Sequence, residues 1–311
     1  MTEKTLFRID TPYRREVPVT GKLFGNPDKK TIAIVGALRG NEVQQMYICA
    51  RIVKLLSELE TENKINPECG ILVIPCVNQF SMNVGRRFWA ADNTDINRMF
   101  PGYSEGETTQ RIAAGLFDAI QEYEYGVHMT SLNLRGDCTH NVRIMETGYN
   151  DARKAYDFGL PYVVLRTPQP YDTTTLNYNW QIWETKAFSL YSGGTPVIKE
   201  AEAVRCCMAV MRFMSRNGII YEQIEDDCTN PKLIRESSLR NILTSCGGIF
   251  IRKKQLGERV SAGETVAVVM NPLTGETAEE LRAPADGIVF FLYREDLISG
   301  HAIAGRVLPD E

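Results

Sequence analysis

Histidine is scarce in this chain of 311 residues: there are three, at positions 128, 140 and 301. That excludes a metal centre built mainly of imidazoles. The eight cysteines, at 49, 69, 76, 138, 206, 207, 228 and 246, include no C-x-x-C pair. The pattern therefore offers neither a disulfide framework nor a thiolate-rich zinc site. It suits reduced thiols, several in apolar runs where cysteine acts as a small hydrophobe. No apolar run approaches the ~20 residues that a membrane helix needs. The first residues, Met1 to Thr5, lack the apolar core of a signal peptide, so a cytoplasmic location is expected. Neither charge dominates: 35 Lys and Arg stand against 39 Asp and Glu, a net charge of −4. Nothing in that balance favours a nucleic acid or an anionic membrane as partner. Internal repeats and low-complexity segments are also missing.

What is present is an ordinary globular composition, 43% hydrophobic and 24% charged, in a chain long enough for two cores. Residues 31–35 read as a buried strand, and a helix follows from about Val43 to Leu59, with apolar residues at helical spacing. Gly70 to Val77 is a continuous apolar run of strand length. This strand–helix–strand order predicts a parallel pair with a right-handed crossover. Periodicity then disappears from Asn78 to Gly102, and a loop of that length is usually functional. A helix is expected over 108–120 and around 152–158. Strands are expected near 125–131, 141–145, 162–165 and 186–191, the last closed by Ser192-Gly193-Gly194, and a long helix over 198–217. From Ser245 onward, short alternating stretches are separated by glycines at ~8–12-residue spacing, the mark of a small all-β unit. The expected division is residues 1–222 as an α/β unit, 223–240 as a linker and 241–311 as the β unit.

Two stretches carry candidate chemistry. The turn after the first buried strand reads Arg39-Gly40-Asn41-Glu42, at the kind of strand end where open α/β sheets place their ligands. Its plain alternative is a strand–turn–helix with Glu42 capping the helix and Arg39 in solvent. The long loop contains Arg86-Arg87 and then Asp95-Ile96-Asn97-Arg98-Met99-Phe100-Pro101-Gly102.

This loop is similar to the Asp-Leu-Asn-Arg-x-Phe-Pro-Gly stretch of the succinylglutamate desuccinylase/aspartoacylase family, a branch of the zinc carboxypeptidase superfamily. The resemblance extends through the C-terminal region, where Leu256 to Val266 and Arg282 to Val289 resemble the barrel-sandwich module of that family. Biotinyl and lipoyl carriers share that module, but Val268 to Leu273 has no tip lysine, so covalent cofactor carriage is not expected. The resemblance implies an α/β fold with a zinc-carboxypeptidase-like mixed sheet flanked by helices, plus a small C-terminal all-β barrel-sandwich domain. It implies a hydrolase of N-acyl amino acids with a small-molecule carboxylate as substrate, and it allows a homo-oligomer. Arg87, Asn97 and Arg98 would bind the substrate, because arginine forks hold carboxylates. His140, in Thr139-His140-Asn141-Val142-Arg143, would lie near them.

The same resemblance implies zinc, held by His-x-x-Glu and a distant histidine at a strand end. Glu42 and His128 match two of those positions. The first is Arg39, and a guanidinium has no acceptor with which to bind a metal. The family's catalytic glutamate corresponds to Tyr191 in Ala187-Phe188-Ser189-Leu190-Tyr191, and a phenol is a poor base at neutral pH. Arg39 and Tyr191 thus stand at the two positions that carry the reaction. Three outcomes stay open: a hydrolase with an unusual third ligand, a metal-free binding protein for small carboxylates, or a different catalytic site without metal.

Overall fold

The apolar runs at 31–35 and 70–77 become the middle of a sheet because both of their faces are covered. In the computed structural model the described residues are 1–10, 16–132, 134–149, 151–191, 193, 197–227 and 230–310. Ser192, Gly194 and Cys228, which enter the sequence reading, lie outside the described residues. By contacts the chain divides into two units, Met1–Ser131 with His140–Leu233, and Leu132–Thr139 with Ile234–Glu311.

The strands of the first unit are β1 (Thr2–Ile9), β2 (Val17–Gly25), β3 (Ile32–Val35), β4 (Gly70–Ile74), β5 (Tyr125–Thr130), β7 (Asn141–Met145), β8 (Tyr162–Arg166) and β9 (Lys186–Tyr191), with β6 (Gly136–Cys138) in the second unit and the division between the units falling within β10 (Lys232–Arg235). Among the described residues they form, with β10, a nine-stranded sheet in the order β1-β2-β4-β3-β5-β9-β7-β8-β10. β4, β3, β5 and β9 run parallel, whereas β2 and β7 are antiparallel to their inner neighbours. The fold is α/β with a mixed sheet. Strand alternation separates its two cores. Ile32, Ile34, Val127, Phe188 and Leu190 face helices α1 (Val43–Thr61) and α5 (Glu200–Arg216). Ala33, Val35 and Ala187 face α3 (Thr108–Ile120) and α4 (Leu176–Ile182).

The second unit contains β6, β11 (Arg240–Leu243), β12 (Gly248–Arg252), β13 (Arg259–Val260), β14 (Thr265–Met270), β15 (Thr277–Arg282), β16 (Gly287–Tyr293), β17 (Leu297–Ile298) and β18 (Ile303–Pro309). They make two sheets over a core that includes Phe250, Val269, Val289 and Val307.

Four features differ from the sequence reading. The expected linker carries β10, whose Lys232 N–H donates to Pro161 O at 2.9 Å. As an exposed edge strand it shows no apolar alternation to betray it. The chain also contributes β6 to the second unit before returning at His140, and its three residues are too few for any periodicity to show. The long loop is not wholly irregular: α2 (Gln79–Asn83) and a 3₁₀ turn (Ile96–Arg98) interrupt it. Around 152–158 the helix is a 3₁₀ segment, Lys154–Phe158.

Candidate functional site at the C-terminal ends of the parallel strands

Pairing fixes which side chains meet. Val35 of β3 lies opposite His128 of β5, which lies opposite Ser189 of β9. Thr130 pairs with Tyr191, and β7 brings Arg143 opposite Ser189 and Asn141 opposite Tyr191. With side chains alternating at period two, His128, Thr130, Ser189, Tyr191 and Arg143 share the face that α3 and α4 cover. Gly126 lies on this face as well. A Cβ there would come within 2.7 Å of the Trp180 ring, so the packing of α4 requires glycine at that position.

The turn after β3 delivers Arg39 and Glu42. Gly40 is required by a close approach: an added Cβ would lie 2.4 Å from the Ser81 backbone and 2.5 Å from Arg86 O. Gly40 N–H donates to Arg87 O at 3.0 Å, so the long loop is laid directly on the turn. Arg39 is 2% exposed. Its Nε donates to both carboxylate oxygens of Asp95, at 3.2 and 3.1 Å, and its Nη2 donates to Oδ2 at 2.9 Å. Its Nη1 reaches Glu42 Oε1 at 3.4 Å. Burial opposes the Arg39 charge, but Glu42 and Asp95 outweigh it and raise its pKa. The reading of Arg39 as a solvated turn residue is excluded by this burial.

Glu42 precedes α1 without capping it through its side chain. Its carboxylate accepts from Arg39 N–H at 3.1 Å, Ser131 N–H at 3.2 Å and Ser131 Oγ–H at 2.7 Å. His128 is 1% exposed, and its Nε2 is buried with no hydrogen-bond partner among the described residues. Burial first and the nearby Arg39 second push its pKa down to about 3, so the ring is neutral. Cys76 lies near Glu42, and burial and that carboxylate push its thiol up to about 12.

Asp95 caps the 3₁₀ turn by accepting Asn97 N–H at 3.1 Å. Asn97 turns its Oδ1 to Leu176 N–H at 3.0 Å, so its carbonyl oxygen holds α4. Arg98 lies over the Tyr171 ring, 5.8 Å from its centroid. Arg87 has its pKa lowered by burial and by the Arg39 charge, with Arg98 adding to the effect. Three cations are thus gathered in one region. Tyr191 accepts from Arg143 Nη1 at 3.3 Å and carries that guanidinium over its ring at 4.4 Å. It is also near enough to Arg39 to favour its charge.

The structure therefore brings Arg39, Glu42, Arg87, Asn97, Arg98, His128 and Tyr191 together. His140 is placed apart from them: its Nε2 pairs with Glu202 of α5, the helix on the opposite side of the sheet, and burial lowers its pKa against the pull of that carboxylate. The sequence reading named Asp95 and Arg143 only as members of stretches that resemble the family, and it gave no role to Ser131 or Tyr171, which carry no local signal.

The donors do not fit zinc. Glu42 is engaged by Arg39 and Ser131, and the first ligand position holds the Arg39 cation. No group of three His, Cys, Asp or Glu side chains placed to hold a metal is found among the described residues.

Comparison with known proteins supports the same fold and family. The catalytic-domain profile of the succinylglutamate desuccinylase/aspartoacylase family matches residues 28–215. N-alpha-acetyl-L-2,4-diaminobutyric acid deacetylase of Halomonas elongata is 21% identical over 285 residues, covering 88% of this chain and 80% of its own. A succinylglutamate desuccinylase/aspartoacylase structure from Rhodobacter sphaeroides superposes with a TM-score of 0.82 at 20% identity, covering 99% of this chain and 95% of its own. The product-bound ectoine utilization protein EutE of Ruegeria pomeroyi gives 0.81 at 17% identity, covering 98% and 94%. With a profile match over more than half of its length, the chain belongs to the succinylglutamate desuccinylase/aspartoacylase family of amide-bond hydrolases.

Proposed function

We propose that this chain binds small carboxylates of the N-acyl amino acid class at the C-terminal ends of β3, β5 and β9, and does so without zinc. In this reading Arg39 supplies a fixed positive charge where a metal would otherwise stand. The observation that carries it is the Arg39 guanidinium held between Glu42 and Asp95. A cation locked in that position satisfies Glu42, the one carboxylate the resemblance assigns to a metal, and ties Asp95 of the long loop to it. Arg87 and Arg98 hold the ligand carboxylate, since a guanidinium presents a planar fork of donors that matches it. Asn97 shapes their loop from behind. Tyr191 closes the site beside Arg143 and presents a hydroxyl to the ligand. The deacetylase relative supplies the substrate class by analogy, an acylated amino acid.

The family's route to amide hydrolysis needs a metal-bound water and a carboxylate base. Arg39 and Tyr191 occupy the two positions from which these would be supplied. The test is elemental analysis of the protein purified without a chelating tag from zinc-supplemented cells, followed by calorimetric titration with N-acetyl amino acids. Metal well below stoichiometric, with binding that Arg98→Ala abolishes, supports the reading. Near-stoichiometric zinc with release of free amine would overturn it in favour of the hydrolase. Amine release from protein free of metal would instead identify a catalytic site built on Arg39 and Tyr191.

A further inference from the structure

The segment before and within α4 wraps the loop that carries Arg98. Tyr171 lies under the Arg98 guanidinium. Thr174 O accepts Phe100 N–H at 3.0 Å, and Leu176 N–H donates to Asn97 Oδ1 at 3.0 Å. The next residue is Asn177, which is 3% exposed. Both polar atoms of its amide, Oδ1 and Nδ2, are buried without a hydrogen-bond partner among the described residues. Its neighbour Asn179 shows the contrast, donating to Thr173 O and Thr175 O at 2.9 Å each.

Helix geometry explains the placement. Leu176 and Trp180 insert into the core shared with Ala187 of β9. Asn177 is one position round the helix from Leu176, and it begins a second buried row that continues one turn later with Gln181, 1% exposed. α4 starts beside Asn97 and ends shortly before β9 begins. Asn177 is therefore at the level of the strand ends, and Gln181 lies deeper. The face of β9 that meets α4 carries Ala187, Ser189 and Tyr191. A buried amide with neither donor nor acceptor engaged is costly to maintain in a folded core. Here Asn177 directly follows Leu176, whose N–H holds Asn97, the residue before Arg98.

From this placement we propose that Asn177 is a specificity-determining residue, hydrogen-bonding the amide of a ligand whose carboxylate is held by Arg87 and Arg98. The proposal rests on the carboxylate-binding reading above. It makes the site selective for N-acylated amino acids over plain carboxylates of similar size. One neutral hydrogen bond sets the scale of the effect, about tenfold in affinity at most.

The test uses calorimetry on the full chain with two probes, N-acetyl-L-aspartate and succinate, which share two carboxylates and differ in the acylamino group. Asn177→Leu, of similar size but apolar, should weaken N-acetyl-L-aspartate about fivefold to tenfold and leave succinate within twofold. Arg98→Ala should weaken both probes, which separates the two claims. If Asn177→Leu leaves both affinities unchanged while Arg98→Ala abolishes them, the carboxylate reading stands and the role of Asn177 falls. Equal losses on both probes would also overturn it, as would wild-type protein that binds neither. Asn177→Ala serves as the second variant, and near-ultraviolet circular dichroism reports that each is folded.

Discussion

Removing the Arg39 side chain is the perturbation that most directly examines this site. In Arg39→Ala, Asp95 loses bonds at 2.9, 3.1 and 3.2 Å and Glu42 loses one at 3.4 Å. Deleting one partner of a buried ion pair costs roughly 3–5 kcal/mol, because the remaining charge is left uncompensated. Two features place this case at the lower end. The Asp95 side chain is 13% exposed and keeps the Asn97 N–H. Glu42 keeps both Ser131 donors and the Arg39 backbone N–H, none of which depends on the side chain. We expect a loss of about 3 kcal/mol in the unfolding free energy of the first unit, measured by urea titration at neutral pH. Arg39→Lys keeps the charge but cannot form the fork, and should lose about half as much. Adding Asp95→Asn to Arg39→Ala should recover about 1 kcal/mol, since the stranded charge is then gone. A loss under about 1 kcal/mol for Arg39→Ala, with no recovery in the double variant, would show that the carboxylates are well hydrated and that the ion pair does not organise the site.

Further predictions concern metal, pH and ligand. Arg39→His would place a third donor beside Glu42 and the unpartnered Nε2 of His128. Zinc should then raise the unfolding midpoint of that variant by several degrees while leaving the wild type unmoved, as binding to the native state alone requires. His128 has its pKa held near 3 when folded, against an ordinary 6.5. The unfolded chain takes up a proton there that the folded chain refuses, so this residue's contribution to stability is complete above about pH 7 and is lost as pH falls towards 3. Relative to His128→Gln, the wild type should lose about 2 kcal/mol more between pH 7.5 and pH 5 in urea titrations, and equal slopes would refute the burial argument.

The fold was legible in the sequence wherever one periodicity covered a whole element. The apolar runs of β3, β4 and β9 and the helical spacings of α1, α3 and α5 each reported a face pressed against a neighbour. What escaped was short or exposed. β10 adds an edge strand with little buried surface, β6 has three residues, and α4 is polar where it is buried, through Asn177, Asn179 and Gln181. Resemblance pointed to the long loop because Asp95 to Gly102 is nearly contiguous. It could not reveal that Asp95 turns to Arg39, a partner 56 positions away. Nor could it reveal that His140 turns to Glu202. Both contacts depend on which face of the sheet a loop approaches, and local residue order does not encode that.

The two departures from the family pattern make electrostatic sense together. The resemblance implies a doubly charged cation and a carboxylate base, which sum to a single positive charge. A guanidinium at 39 and a phenol at 191 sum to the same. In the reading proposed above, the field around Glu42, Asp95 and the arginines would be preserved although both chemical groups differ, and a carboxylate ligand would still meet a net positive site. A carboxylate at 191 beside Arg39 would break this balance by adding a third anion to Glu42 and Asp95, and it would take Arg143 from its place over the ring. Tyr191→Glu should therefore weaken carboxylate binding by about tenfold at low ionic strength, with the loss shrinking as salt is raised. Tyr191→Phe, which changes no charge, should stay within about threefold of wild type. If the two variants lose affinity equally and without salt dependence, the loss reflects packing at the Tyr191 ring, and the replacements at 39 and 191 are not linked through charge.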